Sequence, residues 1–171
     1  MSDTIKQYKK GSILLSPGEV CRYAYEVQQG CLKSYVLDAQ GREHILHFAP
    51  EGWTISDLES YLEEKPGQIY IETLEDCTIK LISRLDWDTR LSGSEEQLRE
   101  MNRRFQRSVI AANRRILNLL GSSAEDRYRD FIATYPTLLQ RLPLKLIAAY
   151  LGITPEFLSR IRRRLKEGEG T

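Results

Sequence analysis

Four side chains near the C-terminus have the types and spacing needed to read the edge of a nucleic-acid base. Glu156, Ser159, Arg160 and Arg163 fall at steps of one, three and four, so in a helix they share one face. A guanidinium donates two bonds to guanine O6 and N7, and a carboxylate accepts from cytosine N4. Leu158, Ile161 and Leu165 share the opposite face and must pack inward. The helix opens on Thr154-Pro155, an N-cap followed by the favoured first-turn proline. Upstream, Ala148 is small where two helices would cross, and Gly152 suits the positive φ of a tight turn. Leu144–Leu165 therefore reads as helix, turn, helix, the layout of a DNA-binding helix-turn-helix. In that layout Glu156, Ser159, Arg160 and Arg163 contact bases, while Thr154, Arg162, Arg164 and Lys166 hold the phosphate backbone. In isolation Glu156 and Arg160 would be a surface ion pair worth a few tenths of a kcal/mol. Their place on the second helix, flanked by arginines, favours base contact.

The charge distribution agrees with two modules. The 171 residues hold 25 Lys+Arg and 24 Asp+Glu, a formal net charge of +1. From Arg99 to Lys166 there are 15 basic and 5 acidic side chains; the rest of the chain holds 10 and 19. Such segregation predicts modules with different partners, the basic one suited to nucleic acid. The alternative is a set of solvated, arginine-rich helix faces.

The elements that must position the reading helix begin with a run of short strands. Ser12–Leu15, Arg22–Val27, Cys31–Leu37, His44–Ala49, Ile69–Thr73 and Thr78–Ser83 are rich in β-branched, aromatic and aliphatic residues. Turn sequences such as Ser16-Pro17-Gly18, Gln29-Gly30 and Pro66-Gly67 separate them. This pattern predicts an antiparallel barrel or jelly roll with an internal pocket. Thr54–Glu64 interrupts it as a short helix or lid.

Ser94–Leu120 contains no Gly or Pro and predicts one helix on the order of 40 Å long. Leu98, Met101, Phe105, Val109, Ala112, Ile116 and Leu119 form an apolar stripe on it. The first six are read as the seam of a two-stranded homodimer, with packing of the helix along its own barrel as the alternative. Arg99, Arg103, Arg104, Arg107, Arg114 and Arg115 are assigned to the remaining surface. Gly121-Ser122-Ser123 breaks the helix, and Ser122 with Glu125 is read as a capping box for the next one.

Other chemistries find little support. His44 and His47, the only histidines, point to opposite faces of a strand and cannot share a metal. Cys21, Cys31 and Cys77 form no C-x-x-C pair and read as part-buried thiols. No Gly-x-Ser-x-Gly, phosphate loop or kinase signature is present, so no catalytic residue is expected. Trp53 and Trp87 read as core or lid residues. Without a bilayer-length apolar run or an apolar leader, a cytoplasmic protein is expected. Two rival classes remain: a ligand-sensing roll that acts through protein partners, and a β-barrel enzyme with a helical tail.

The stretches Ser123–Tyr128 and Leu151–Arg162 resemble the Crp/Fnr family of bacterial transcription regulators, in the branch common in Bacteroidetes. Gly18, Gly30, Gly41 and Gly52 are similarly placed to the glycines of that family's cyclic-nucleotide-binding β-roll. The resemblance implies an α+β chain: a jelly-roll-like antiparallel β-roll at 1–93, a dimerisation helix at 94–120 and a helix-turn-helix domain at 121–171. It implies a homodimer on an inverted-repeat site in double-stranded DNA, with RNA polymerase as a further partner and no membrane. Family members that bind cyclic nucleotides carry Gly-Glu-aliphatic and Arg-Ser/Thr-Ala segments around the ligand. The matching stretches here are Ser56-Asp57-Leu58 and Gln68-Ile69-Tyr70, and no Arg lies between Glu43 and Ser83. Trp53, Asp57, Leu58, Gln68 and Tyr70 are then the effector-pocket residues. Cyclic AMP is not the expected effector, because an acidic pocket without a guanidinium repels a phosphate.

Overall fold

The computed structural model describes residues 4–91 and 94–168. The chain divides into two compact units, residues 1–99 and 100–171.

The first unit is an antiparallel β-roll. Its strands are β1 (Thr4–Tyr8), β2 (Ile13–Leu15), β3 (Tyr23–Gln29), β4 (Leu32–Leu37), β5 (Glu43–Ala49), β6 (Thr54–Ile55), β7 (Tyr70–Thr73) and β8 (Cys77–Ser83). They form two four-stranded sheets, ordered β1-β8-β3-β6 and β2-β7-β4-β5. Between β6 and β7 lies α1 (Leu58–Glu63), the helix expected within Thr54–Glu64; the start of that segment is strand β6 instead. The six expected strands are all present, with ends shifted by one or two residues. Strand β1 is an addition that pairs only with β8 and is exposed along most of its length. An edge strand with little burial needs no apolar alternation, so its residues carry little of the usual signal.

Side chains from both sheets meet in one core that includes Tyr25, Val27, Leu32, Ile71, Ile79 and Leu81. Tyr61 of α1 joins it and donates its hydroxyl to Ser83 O at 2.9 Å. Helix α2 (Arg84–Leu91) follows β8 without a break, and Trp87 packs against the core with its ring edge-on to Tyr61. The 29–30 turn is tight: at Gly30, φ is +95°, and a Cβ would stand 2.5 Å from Cys77 Sγ.

Helix α3 (Glu95–Gly121) runs from the first unit into the second, one residue later at each end than the sequence predicts. Beyond it come α4 (Ala124–Thr134), α5 (Leu138–Arg141), α6 (Leu144–Leu151) and α7 (Pro155–Gly168). The cap of α4 is Ser123, whose hydroxyl accepts from the Asp126 amide, so the expected Ser122 capping box sits one residue too early. Ser122 instead ends α3, its amide donating to Asn118 O. Phe131, Leu138, Ile147, Ala148, Leu158 and Ile161 are almost wholly buried and form the centre of this unit. Among the described residues no helix is long and apolar enough to cross a membrane.

Candidate functional site

Helices α6 and α7 build the helix-turn-helix from a few local constraints. Gly152 ends α6 in the left-handed conformation, φ +68°, and its amide turns back to Ala148 O and Ala149 O. Two residues later the Thr154 hydroxyl accepts from the Phe157 amide at 3.2 Å and caps α7. Ala148 and Leu158, both with no exposed surface, are buried in this unit as the spacing requires.

The reading face of α7 follows from that packing. Leu158 and Ile161 turn inward with Leu165 partly buried beside them, and Glu156, Ser159, Arg160 and Arg163 are all exposed. The Glu156 carboxyl is held below its ordinary range first by its own backbone N–H, then by the Thr154 hydroxyl and the charge of Arg160. Arg160 lies 5.2 Å from the centre of the Phe157 ring. Ser159 donates its hydroxyl to Pro155 O at 2.9 Å.

The flanking cations differ from one another. Arg164 is exposed, with Nε 3.8 Å from Glu125 Oε2. Arg162 is half-buried, and its charge opposes the upward push of burial on the Tyr128 phenol. Arg162 thus has a structural partner that its position in the arginine run does not reveal. The Lys166 side chain lies outside the described residues, as do those of Arg104 and Arg107.

On α3 the residues assigned to the seam share one face. Leu98, Met101 and Ala112 are half-buried, while Phe105, Val109 and Ile116 are 51%, 42% and 54% exposed. Ile110, Leu117 and Leu120 are more exposed still, at 65%, 68% and 81%. Ile110 and Leu117 sit roughly a third of a turn from the Phe105–Ile116 line. The apolar surface is therefore broader than the stripe read from the sequence, whose template of threes and fours admitted only one face.

Two of the five residues assigned to an effector pocket are bonded directly to each other. These are Asp57 and Gln68: Asp57 Oδ1 accepts from Ser60 N at 3.2 Å and caps α1, while Oδ2 accepts from Gln68 N at 3.0 Å. A Cβ on Gly67 would stand 2.7 Å from Asp57 Oδ2, so glycine there permits the approach. Tyr70 stacks on Tyr35 with centroids 4.9 Å apart, and the buried Lys33 ammonium sits 4.2 Å from the Tyr35 ring. Glu43 and Glu72 hold that ammonium at 2.6 and 3.2 Å. Leu58 and Trp53 are partly exposed at 45% and 37%. A separate open groove of about 370 Å³ is lined by Leu14, Leu15, Glu19, Val20, Arg22, Tyr23 and Tyr25.

Among the described residues no group of His, Cys, Asp and Glu is placed to hold a metal ion. His44 instead bonds Asp38 at 2.9 Å. All three cysteines are buried thiols outside any disulfide, and burial pushes Cys21 and Cys77 upward.

Residues 5–92 match the cyclic nucleotide-binding domain. Over nearly the whole chain there is similarity to bacterial regulators. The probable transcriptional regulator flp of Lacticaseibacillus casei is 28% identical over 95% of this chain and 76% of its own length. The fumarate and nitrate reduction regulatory protein of Vibrio cholerae is 27% identical over 96% of this chain and 69% of its own. Among solved structures, FixK2 from Bradyrhizobium japonicum superposes with a TM-score of 0.79 at 21% identity, covering 99% of this chain and 87% of that one. A CooA mutant from Carboxydothermus hydrogenoformans gives 0.78 at 18% identity, covering 96% and 77%. Both structures share the α+β fold, with its N-terminal roll and C-terminal helices.

Because both Asp57 oxygens accept backbone N–H groups, Asp57→Ala is expected to destabilise the roll by about 1–2 kcal/mol. Urea unfolding followed by circular dichroism measures this, and a midpoint equal to wild type would remove Asp57 from its bridging role.

Proposed function

The chain belongs to the cyclic nucleotide-binding domain family and is a transcription regulator of the Crp/Fnr type, and we propose that it reads an inverted-repeat operator as a homodimer. The observation that carries this is the α7 surface: Glu156, Ser159, Arg160 and Arg163 stand exposed while Leu158 and Ile161 fix the opposite face inward. Such a helix enters the major groove N-terminus first, with Thr154 and Arg164 available to phosphates on either side. Two copies related by a twofold axis would place their reading helices on half-sites about 34 Å apart. The exposed apolar face of α3 is the surface on which the second copy would pack. RNA polymerase is the partner such a regulator addresses, and the cytoplasm its place of action. No catalytic step is assigned to it.

Cyclic AMP and cyclic GMP are not its effectors in this reading. The amides of Ser60 and Gln68, in or beside the stretches that match the family's ligand segments, already serve the Asp57 carboxylate. A phosphate entering there would meet a negative charge in place of a guanidinium. Isothermal titration calorimetry tests this, with no heat of binding expected for either cyclic nucleotide at micromolar concentrations. Micromolar binding coupled to tighter operator affinity would overturn it.

Arg160→Ala is expected to cost about 1–3 kcal/mol at one base pair of each half-site and to relax the preference there. Arg164→Ala should weaken all duplexes alike and flatten the salt dependence, because one fewer phosphate is neutralised. Selection from a random duplex library followed by titration at several salt concentrations separates the two. Equal losses on operator and random DNA for Arg160→Ala would remove it from the base-reading set.

The homodimer is tested by replacing Phe105 and Val109 with glutamate. Analytical ultracentrifugation should show a dimer for wild type and a monomer for the double variant. A variant that sediments like the wild-type dimer would move the seam elsewhere.

A further inference from the structure

The last four carbonyls of an α-helix have no partner within the helix, and α6 ends beside the turn that aims α7. Two of its four are served locally. Ile153 N donates to Ala148 O at 3.0 Å, and the Gly152 amide reaches Ala149 O at 3.4 Å. The other two are served by arginines from neighbouring helices. Arg115 of α3 donates to Tyr150 O at 2.8 Å, and Arg127 of α4 donates through Nε to Leu151 O at 3.0 Å.

Each guanidinium is held by more than that one bond. The Arg115 group lies 3.7 Å from the centre of the Tyr150 ring, and that ring packs on Phe131 and Tyr135. Arg127 also donates to Ser122 O at 2.7 Å, the carbonyl at the junction of α3 and α4. Beside them Asn118 donates to Asp130 at 2.9 Å, tying α3 to α4. Two cations at the C-terminal end of α6 oppose its partial negative charge, and the planar fork suits two carbonyls in fixed directions.

We propose that Arg115 and Arg127 are positioning residues for DNA reading: they bolt the helix-turn-helix turn to α3 and α4. The angle of α7 to the α3 axis is then fixed before DNA arrives. Neither residue lies on the α7 reading face, so they act on specificity through geometry and not through phosphate contact. This inference rests on the reading of α7 as a DNA-binding helix, and the test therefore has one arm with DNA and one without.

In the first arm, the best duplex recovered by wild type from a random library is titrated with Arg115→Gln, Arg127→Gln and Arg127→Lys, alongside a random-sequence duplex. Each Gln variant should lose tenfold or more on the selected duplex. Its affinity for the random duplex should stay within twofold of wild type, with the same salt slope, and Arg127→Lys should fall between. No loss on the selected duplex overturns the proposal, as does an equal loss on both duplexes with a flatter salt slope.

The second arm is amide hydrogen exchange on the free protein. Gly152 and Ile153, whose amides close the turn, should exchange at least tenfold faster in each Gln variant, while the middle of α3 keeps its protection. Unchanged exchange at those two amides overturns the proposal whatever the DNA result. If wild type selects no duplex but the turn still loosens, the DNA reading fails and the clamp stands. A Gln variant that does not fold is replaced by its Lys counterpart, Arg115→Lys or Arg127→Lys, which keeps the charge but not the fork.

Discussion

Backbone groups at the ends of helices and strands must find partners, and in this chain side chains distant in sequence repeatedly supply them. Asp57 accepts from Ser60 N and Gln68 N and so ties the start of α1 to the segment entering β7. Arg84 donates to Tyr61 O and to Leu62 O at the other end of the same short helix. Tyr61 in turn caps Ser83 O at the end of β8. In the second unit Arg115 and Arg127 serve Tyr150 O and Leu151 O, and Thr154 serves Phe157 N. A six-residue helix or a two-residue turn has little cooperativity of its own. Each of these bonds replaces local stability with a tie to a neighbour, so the small elements that carry function are oriented by the larger ones.

The same accounting divides the basic residues of the C-terminal third into two populations. Arg115 and Arg127 give donors to carbonyls, and Arg162 is half-buried with its charge acting on the Tyr128 phenol. Arg160 and Arg163 are exposed on α7 with Arg164 near them. A net charge of +10 over that stretch therefore overstates what faces a nucleic acid. A guanidinium with five donors on one rigid group serves both roles, which is why composition alone does not tell the two populations apart.

The parts of the fold that were legible in the sequence are those governed by local pattern. Strand alternation marked six of the eight strands, and the unbroken run to Leu120 marked α3 to within one residue. The helix-turn-helix was legible because Ala148, Gly152, Thr154-Pro155 and Leu158 each answer a local steric or capping demand. What escaped depends on tertiary partners. Strand β1 is an edge with exposed side chains, β6 is two residues long, and α2 contains three charged residues in its first six. Arg115 looked like one more solvated arginine because Tyr150 stands 35 residues away. The five residues grouped as a pocket shared sequence proximity to the family's ligand segments. Side-chain bonding then committed Tyr70 to Tyr35 and Asp57 to the backbone.

The breadth of the apolar surface on α3 has its own consequence. A two-stranded seam needs a strip only about two residues in seven wide. Phe105, Val109 and Ile116 satisfy that requirement, and Ile110, Leu117 and Leu120 exceed it. The opposite side of the same turns is already taken, since Arg115 and Asn118 point to α6 and α4 and Leu119 lies 3.9 Å from where a Gly152 Cβ would stand. The second half of α3 thus has one face committed to the reading head and a wide apolar face left over. A helix that is apolar over such an arc buries it against more than one neighbour. A partner helix alone would leave Ile110 and Leu117 in water, at a cost of about 1.5–3 kcal/mol for each such side chain left unburied. In the proposed dimer the seam and the reading head would lie on one helix, the apolar arc on one side and the ties of Arg115 and Asn118 on the other.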